Sequence, residues 1–219
     1  MRIIDLFCGL KGWSQAFEQE DNEIITVDIL EKFRPTIVAD IMHLTAKDFK
    51  QFGRFDAILA SPPCNCFSVA SVYRHWKDGK PKDEDTVKAI ELVKHTLKLI
   101  EDLNPKWWIL ENPTGMLRKV IGLPAYQISQ CQYGRSVMKP TDLWGRLPES
   151  FVPKKCKAGS PCHEKASRSA KTGVQGINNS FSNLGSRGKE LRAKIPLGLS
   201  QAVYQAIKES LSIKIDEDY

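Results

Sequence analysis

Five short apolar runs, each followed by a chemically distinctive residue, most constrain how this chain can fold. They cover residues 3–7, 23–27, 36–39, 55–60 and 107–110. Continuous apolar runs of this length, alternating with helices, indicate parallel strands that are buried on both faces. Ligands bind beyond the carboxyl ends of such strands. The sequence therefore predicts an α/β fold with a doubly wound, mostly parallel, Rossmann-like sheet and a site along one edge.

Helical patterns connect these runs. Apolar side chains at three- and four-residue steps predict a helix over residues 83–103, which Asn104-Pro105 ends. Residues 13–20 are expected to form a shorter helix, and residues 195–211 a closing helix with a proline in its first turn.

Positive charge is concentrated in one stretch. Residues 146–194 contain 11 Lys and Arg against 3 Glu, a net +8, so the other 170 residues sum to −2 of the overall +6. This distribution favours contact with a polyanion, although a solvated lysine-rich loop is the alternative. No apolar stretch is long enough to cross a bilayer, and the N-terminus lacks a signal-peptide pattern. We therefore expect a cytoplasmic protein without a membrane partner.

The first motif, Asp5-Leu6-Phe7-Cys8-Gly9-Leu10-Lys11-Gly12, links a strand to a helix through glycines. Glycine lets a ligand approach the backbone, and a helix N-terminus attracts negative charge. Alone, the motif could be an ordinary tight turn. Asp28 ends the next strand, where such folds place a ribose-binding carboxylate, and Asp40 ends the third strand and could accept from an adenine amino group. Either acid could instead cap a helix, but their order predicts a nucleoside-type cofactor site.

The second motif is Ser61-Pro62-Pro63-Cys64-Asn65-Cys66-Phe67-Ser68. A cysteine held by two rigid prolines at a strand end, before an expected helix start, suits a nucleophile. A helix N-terminus lowers the pKa of a thiol, and the thiolate is the attacking species. The alternative is a buried packing cysteine, and Cys66 competes as nucleophile.

The third motif is Glu111-Asn112-Pro113, which follows an apolar strand. A carboxyl group in that position could have a raised pKa and donate a proton at neutral pH. The alternative is an acid that caps the next segment.

Together these motifs resemble the DNA (cytosine-5)-methyltransferases, especially short phage-type members. Residues 5–9 are similar to the family's cofactor motif. Residues 63–68 are similar to its Pro-Cys-Gln-x-Phe-Ser catalytic motif, with Asn65 in place of Gln, and residues 111–113 to its Glu-Asn-Val motif. The resemblance covers roughly residues 1–145 and 187–210, and includes the closing helix that returns to the cofactor pocket.

The resemblance implies methyl transfer from S-adenosyl-L-methionine to C5 of a cytosine in DNA. Cys64 adds to C6 and makes C5 nucleophilic, while Glu111 hydrogen-bonds the N3/N4 edge. The target base must leave the duplex for this chemistry. A role in restriction-modification, in a bacterial or phage-infected cell, follows from the same resemblance.

The resemblance also implies binding residues. The predicted cofactor contacts are Asp5, Phe7, Cys8, Gly9, Gly12, Asp28, Ile29, Asp40, Ile41 and Pro63. The predicted DNA contacts are Ser68, Arg74, Lys139, Lys171, Thr172 and Gln175. Residues 69–85 lie where the family has a loop that closes over the flipped base.

The sequence departs from the family pattern in two places. The usual Gln-x-Arg-x-Arg motif is missing from residues 131–141, so Arg135 is assigned the anion-stabilising catalytic role, with Lys139 as the alternative. The target-recognition region is reduced to a basic insert, residues 146–186, beside a catalytic domain formed by residues 1–145 and 187–219. So short a region suggests few base contacts, or help from a separate recognition subunit or a homo-oligomer.

Six cysteines are expected to be reduced thiols in a chain of this length. Cys156, Cys162 and His163 suggest zinc, but zinc requires four ligands and only three lie close in sequence. No metal is therefore expected.

Three other functions stay open. An exocyclic amino methyltransferase, acting on N4 of cytosine or N6 of adenine, would carry an aromatic residue at the position of Cys64. A catalytically degenerate DNA-binding homologue would explain the missing arginines. A free-nucleotide methyltransferase would explain the short recognition region.

Overall fold

A seven-stranded sheet organises the molecule. The computed structural model describes residues 1–157, 159–163 and 185–212. The sheet strands are β1 (Arg2–Leu6), β2 (Glu23–Asp28), β3 (Ile37–Val38), β4 (Ala57–Ala60), β7 (Trp107–Pro113), β8 (Tyr126–Ser129) and β9 (Pro140–Arg146). Their order is β3-β2-β1-β4-β7-β9-β8, and the first five are parallel. This confirms the predicted α/β sheet and all five predicted strands.

The antiparallel end of the sheet was not predicted. β9 runs antiparallel to β7, and β8 runs antiparallel to β9. A two-stranded hairpin, β5 (Trp76–Lys77) with β6 (Lys80–Pro81), lies apart from the main sheet.

Two of the three predicted helices, 83–103 and 195–211, are α-helices in the structure, and the third, 13–20, is a 3-10 helix. The α-helices are α1 (Val72–His75), α2 (Glu84–Leu103), α3 (Arg118–Ile121), α4 (Gly185–Ala193) and α5 (Leu197–Ser212). Short 3-10 helices cover Ser14–Gln19, Glu31–Phe33, Ile41–His43, Ala46–Phe52 and Gln130–Tyr133. Asp83 caps α2 by accepting from the backbone N–H of Thr86, and Asn104 ends the helix in the left-handed region. The helix α4 was not predicted.

Alternate residues of the central strands fill two hydrophobic layers, as the pleat requires. Ile3 and Leu59 face the 3-10 helix Ser14–Gln19 and α5, whereas Ile4 and Ile58 face α2 and the loops before β4. All four side chains are fully buried. The sheet thus has cover on both faces, which leaves its carboxyl edge free to form a site.

The closing helix is tied to the first loop, as the resemblance implied. Ser200 at the start of α5 donates through its hydroxyl to the carbonyl of Trp13 and accepts from the N–H of Ala16 at 3.2 Å. A Cβ at Gly12 would lie 2.5 Å from the backbone nitrogen of Ile195, so glycine is required for this close approach. Within the described residues, no helix combines the length and apolar content needed to cross a membrane.

Candidate active site

The carboxyl ends of β1, β4 and β7 open into one cleft with about 730 Å³ of empty space, part of it open to solvent. Nine of the predicted site residues line it: Asp5, Phe7, Cys8, Gly9, Gly12, Pro63, Cys64, Glu111 and Lys139. Glu190, Lys194 and Ile195, which precede α5, close one side. The structure therefore brings the three sequence motifs together.

The loop after β1 is held in an uncommon conformation. Phe7, Gly9 and Lys11 have φ values of 60°, 48° and 53°, in the left-handed region that non-glycine residues rarely enter. Such conformations persist where the surroundings fix them, and they are frequent at functional sites. Phe7, Cys8, Gly9 and Leu10 of this loop line the cleft.

Asp5 is a buried acid at the base of this loop. Its carboxylate accepts a hydrogen bond from the hydroxyl of Ser14. Burial raises the pKa of Asp5 from 3.8 to about 7, an effect that the Ser14 hydrogen bonds only partly offset. The cleft therefore contains a carboxyl group that exchanges its proton near neutral pH.

Asp28 and Asp40 cap backbone turns beside the cleft. Asp28 accepts from the N–H groups of Gly9 and Leu30, both at 2.9 Å, and Asp40 accepts from Met42 at 2.9 Å. Among the described residues that line the cleft, neither acid appears. Their predicted contacts with ribose and adenine stay predictions, as do those of the exposed Ile29 and the buried Ile41. By accepting from the N–H of Gly9, Asp28 fixes the loop after β1.

The loop that carries Cys64 is held from two directions. The buried amide of Asn112, on β7, donates through Nδ2 to the carbonyl of Pro62 at 3.1 Å. On the other side, Met116 donates its N–H to the carbonyl of Phe67 at 2.8 Å, and a Cβ at Gly115 would lie 2.1 Å from that same oxygen. Sequence analysis did not assign Asn112 this role, although its place in the Glu-Asn-Pro motif was a signal.

The electrostatic environment of Cys64 corrects one expectation. Burial raises the pKa of its thiol, nearby Glu111 raises it further, and Lys139 lowers it. The predicted helix start at this cysteine is wrong: residues 65–67 form a turn, and α1 begins only at Val72. No helix N-terminus therefore lowers this pKa, and the groups that favour the thiolate are the ammonium of Lys139 and, to a smaller extent, a backbone hydrogen bond at Cys64.

Glu111 lies buried at the end of β7, between two partners. Gln130 donates through Nε2 to Glu111 Oε1 at 3.3 Å, and the ammonium of Lys139 lies 3.8 Å from the same oxygen. Gln130 also donates to the hydroxyl of Thr141 at 3.1 Å. Gln130 was not predicted, because its contact with Glu111 joins residues 19 positions apart.

Arg135 supports this arrangement from behind. Its guanidinium donates to Gln130 Oε1 and to the carbonyls of Leu191, Arg192 and Lys194. Burial lowers the pKa of Arg135, and Glu111 opposes that effect. Of the two cations considered from sequence, only Lys139 is among the described residues that line the cleft. The geometry therefore gives Arg135 a positioning role through Gln130.

The predicted DNA-contacting residues lie on more open surfaces. Ser68 and Ser71 share a hydrogen bond between their hydroxyls at 2.9 Å. Arg74 donates to the hydroxyl of Tyr73 at 2.7 Å on the exposed helix α1, within the segment predicted to close over a base. Lys171, Thr172 and Gln175 lie outside the described residues, and these DNA contacts stay predictions.

Comparison with solved structures identifies the fold class. A structure described as a DNA modification methyltransferase encoded within an E. coli prophage matches with a TM-score of 0.50 and 20% identity, over 72% of this chain and 52% of that one. The methyltransferase EhMeth of Entamoeba histolytica matches with a TM-score of 0.50 and 14% identity, over 72% and 57%. These likenesses show a methyltransferase fold.

Sequence comparisons then give the family. The model of the C-5 cytosine-specific DNA methylases matches residues 1–123. A probable DNA (cytosine-5)-methyltransferase of Frog virus 3 is 34% identical over 74% of this chain and 78% of its own length. The type II methyltransferase M.FnuDI of Fusobacterium nucleatum is 26% identical, and the matched part is 34% of that enzyme. The chain belongs to the C-5 cytosine-specific DNA methylase family.

Proposed function

We propose that this protein transfers a methyl group to C5 of cytosine in DNA through a covalent adduct on Cys64. The observation that carries the proposal is the convergence of Cys64, Glu111 and Lys139 on one cleft with the loop of the cofactor motif. Membership of the C-5 cytosine-specific family disfavours the exocyclic amino alternative.

The cleft has the chemistry to hold S-adenosylmethionine. The rings of Phe7, Trp13 and Phe33 offer an apolar wall for a nucleoside, and Asp5 offers a carboxylate for a cationic group. When bound, the cofactor supplies an electrophilic methyl group. An ionised Asp5 near that positive charge is electrostatically favoured, which links cofactor binding to loss of the Asp5 proton.

The nucleophilic step belongs to Cys64. Its thiol must first lose a proton, and the ammonium of Lys139 stabilises the thiolate that results. The sulfur then adds to C6 of the cytosine, and the electron pair displaced from the C5–C6 double bond makes C5 nucleophilic. Once C5 carries the methyl group, loss of its proton and departure of Cys64 restore the aromatic ring.

The acid at position 111 holds the pyrimidine during this step. Glu111 is buried and fixed by Gln130, so it presents one carboxyl group at a defined place in the cleft. From there its protonated carboxyl group would donate to N3 of cytosine, where negative charge develops when sulfur adds to C6, while its other oxygen would accept from the N4 amino group. Preorganised partners at the site of developing charge are the largest source of enzymatic acceleration.

DNA is the proposed substrate, with the base rotated out of the helix. The basic insert, residues 146–186, supplies phosphate contacts, and segment 69–85, which follows the loop of Cys64, closes over the base. Recognition by so small an insert fits a short target sequence, or a partner that supplies further base contacts. We therefore keep the domain division proposed from sequence, in which residues 1–145 and 187–219 form the catalytic domain and residues 146–186 form the insert.

Trapping on DNA that contains 5-fluorocytosine tests the mechanism directly. Fluorine cannot leave as the C5 proton does, so attack by Cys64 and methylation should leave a covalent protein–DNA complex that survives denaturing electrophoresis. Cys64→Ser should lose the complex and at least about a thousandfold in turnover, since the nucleophile is removed. Cys66→Ser is the matched control and should still form the complex.

The same experiment separates the alternatives. A wild-type protein that binds the DNA but forms no adduct and transfers no methyl group is the degenerate homologue. Adducts formed with a free nucleotide and not with an oligonucleotide would reject DNA as the substrate. A Cys64→Ser variant with near-normal turnover would refute the assignment of the nucleophile.

A further inference from the structure

Four potential metal ligands meet outside the cleft. Cys131, Cys156, Cys162 and His163 place their three sulfurs and one imidazole nitrogen within 4.8 Å of one another. None of the four is among the described residues that line the cleft. The sequence displayed only three of them together, because Cys131 lies 25 residues before the next ligand. The fold therefore supplies the fourth ligand that the sequence lacked.

Three of the distances between these atoms match those of a tetrahedral zinc site. With Zn–S bonds of about 2.3 Å and a Zn–N bond of about 2.0–2.1 Å, a tetrahedron separates two sulfurs by about 3.8 Å and sulfur from nitrogen by about 3.6 Å. Here Cys131 and Cys162 Sγ are 3.8 Å apart, and His163 Nδ1 lies 3.5 Å from Cys162 Sγ and 3.7 Å from Cys156 Sγ. The pair Cys131–Cys156 is closer, at 3.1 Å.

The two segments that carry the ligands are fixed to each other before any metal is considered. Cys156 donates its N–H to the hydroxyl of Ser129 at 3.1 Å, and Ser129 donates its own N–H to the carbonyl of Lys154 at 2.9 Å. Lys154 in turn donates its N–H to the hydroxyl of Tyr133 at 2.9 Å. Such bonds hold Cys131 and Cys156 at a set separation, as a preorganised site requires.

One further contact resembles the outer sphere of a metal site. The amide of Gln132 donates through Nε2 to Cys162 Sγ at 3.1 Å. Hydrogen bonds from N–H groups to ligand atoms orient the ligands and are a regular part of protein metal centres. Cys162 therefore meets a hydrogen-bond donor from the same turn that carries Cys131.

We propose that Cys131, Cys156, Cys162 and His163 bind one zinc ion in a closed structural site. Three thiolates and one imidazole are a soft, tetrahedral donor set that suits zinc and leaves no position open for a substrate. The alternative for these cysteines is a disulfide between Cys131 and Cys156, which would leave Cys162 and His163 without a common partner.

The position of the site gives it a consequence for the cleft. Cys131 follows Gln130, the residue that donates to Glu111, so a metal that fixes this turn also fixes the partner of the acid. His163 is the last described residue before residue 164, where the remaining part of the basic insert begins. Zinc would thus anchor the start of the insert to the catalytic domain, a role independent of the methyl-transfer proposal.

Metal analysis of the full chain tests the site. Protein purified from zinc-containing medium, without chelator, should contain about one zinc per chain by plasma mass spectrometry. Replacement by cobalt should produce the intense visible bands and the thiolate charge-transfer bands of a tetrahedral centre. Cys162→Ser and His163→Ala, both in partly exposed positions, should weaken zinc affinity at least about tenfold.

The controls keep the test decisive. Cys66→Ser and His43→Ala replace the same residue types outside the cluster, and both should retain zinc. Circular dichroism establishes that each variant is folded, so loss of metal cannot be ascribed to unfolding. A folded wild-type chain that binds neither zinc nor cobalt would overturn the proposal. So would a Cys131–Cys156 disulfide in protein prepared without reductant, or full zinc content in both ligand variants.

Discussion

The cleft and the cysteine cluster both gather polar side chains, but the chain builds them in different ways. The cleft residues follow strands of one parallel sheet, so each functional group lies within a contiguous motif: 5–12, 61–68 or 111–113. The cluster joins a turn after β8 to a segment near residue 160, with no sheet between its ligands. Parallel strands thus convert short motifs into a site, whereas the cluster needs one long-range contact, which brings Cys131 to three ligands that are close in sequence.

The two regions also differ in electrostatics. In the cleft, Asp5 is buried and Cys64 is half-buried, so their charged forms are disfavoured, and desolvation raises the pKa of both. In the cluster, one metal cation could bind the three thiolates and the imidazole together and so stabilise their deprotonated forms. The buried ionisable groups of the cleft therefore lower the stability of the folded protein, although the chemistry requires them. Metal binding at the cluster should raise that stability.

Asp5→Asn is the substitution for which this contrast predicts the largest change in the free energy of unfolding. The folded pKa of Asp5, about 7, lies above its ordinary value of 3.8, so between these values the folded protein keeps a proton that the unfolded chain has lost. Stability contributed by this group is full below pH 4 and is lost as the pH rises toward 7. The difference corresponds to roughly 4 kcal/mol at most.

Asp5→Asn should therefore unfold at higher urea concentration than the wild type above pH 7, and the advantage should shrink toward pH 5. The asparagine carbonyl still accepts from Ser14, so the local hydrogen bond is kept. Affinity for S-adenosylmethionine should fall in the same variant, as measured by calorimetry. A stability difference that does not change with pH would show that Asp5 is ionised throughout, contrary to the contrast drawn here.

Asn112→Ala tests whether the cleft depends on the support of its loops. The variant removes the buried donor to the carbonyl of Pro62, which should destabilise the protein by about 1–3 kcal/mol. Because this bond holds the loop of Cys64, the rate of methyl transfer should fall by about tenfold or more.

A matched control exists in Asn22, whose Nδ2 donates to the carbonyl of Phe17 at 2.8 Å, outside the cleft. Asn22→Ala should lose stability without a comparable loss of rate. Equal losses of rate in both variants would mean that Asn112 acts only through global stability, not by positioning Cys64.

The sequence predicted the parts of the molecule that depend on local pattern. The five parallel strands, the capped helix α2 and the motif residues at the strand ends all follow from short windows of sequence. Side chains such as Gln130 and Cys131 could not be recognised, since their partners lie 19 and 25 residues away. The antiparallel strands β8 and β9 escaped prediction because neither carries a long apolar run.

Two residues show that a chemical role inferred from residue type and from order along the chain can be incomplete. Asp28 has the expected place at the end of β2, yet its oxygens accept from backbone N–H groups, the cap role considered as its alternative. Arg135 was assigned the anion-stabilising role with Lys139 as the alternative, but only geometry could show that Arg135 contacts carbonyls while Lys139 lies near Glu111. Which of two nearby cations enters a cleft depends on backbone direction after a turn.

Lys139→Met has the smallest expected effect of these substitutions. It removes the cation that stabilises the Cys64 thiolate in the cleft. Lys139 lowers the pKa of Cys64, so its removal should raise that pKa and move the rising limb of the rate-against-pH profile to higher pH. At neutral pH the rate should fall on the order of tenfold, as expected for the loss of about 1.4 kcal/mol of stabilisation. Lys139→Arg keeps the charge and should restore most of the rate, whereas Lys119→Met, on the exposed surface of α3, should change neither rate nor profile. A Lys139→Met variant with a lower rate but an unmoved profile would assign Lys139 to DNA contact, the role expected from sequence, and would leave the Cys64 thiolate without its proposed partner.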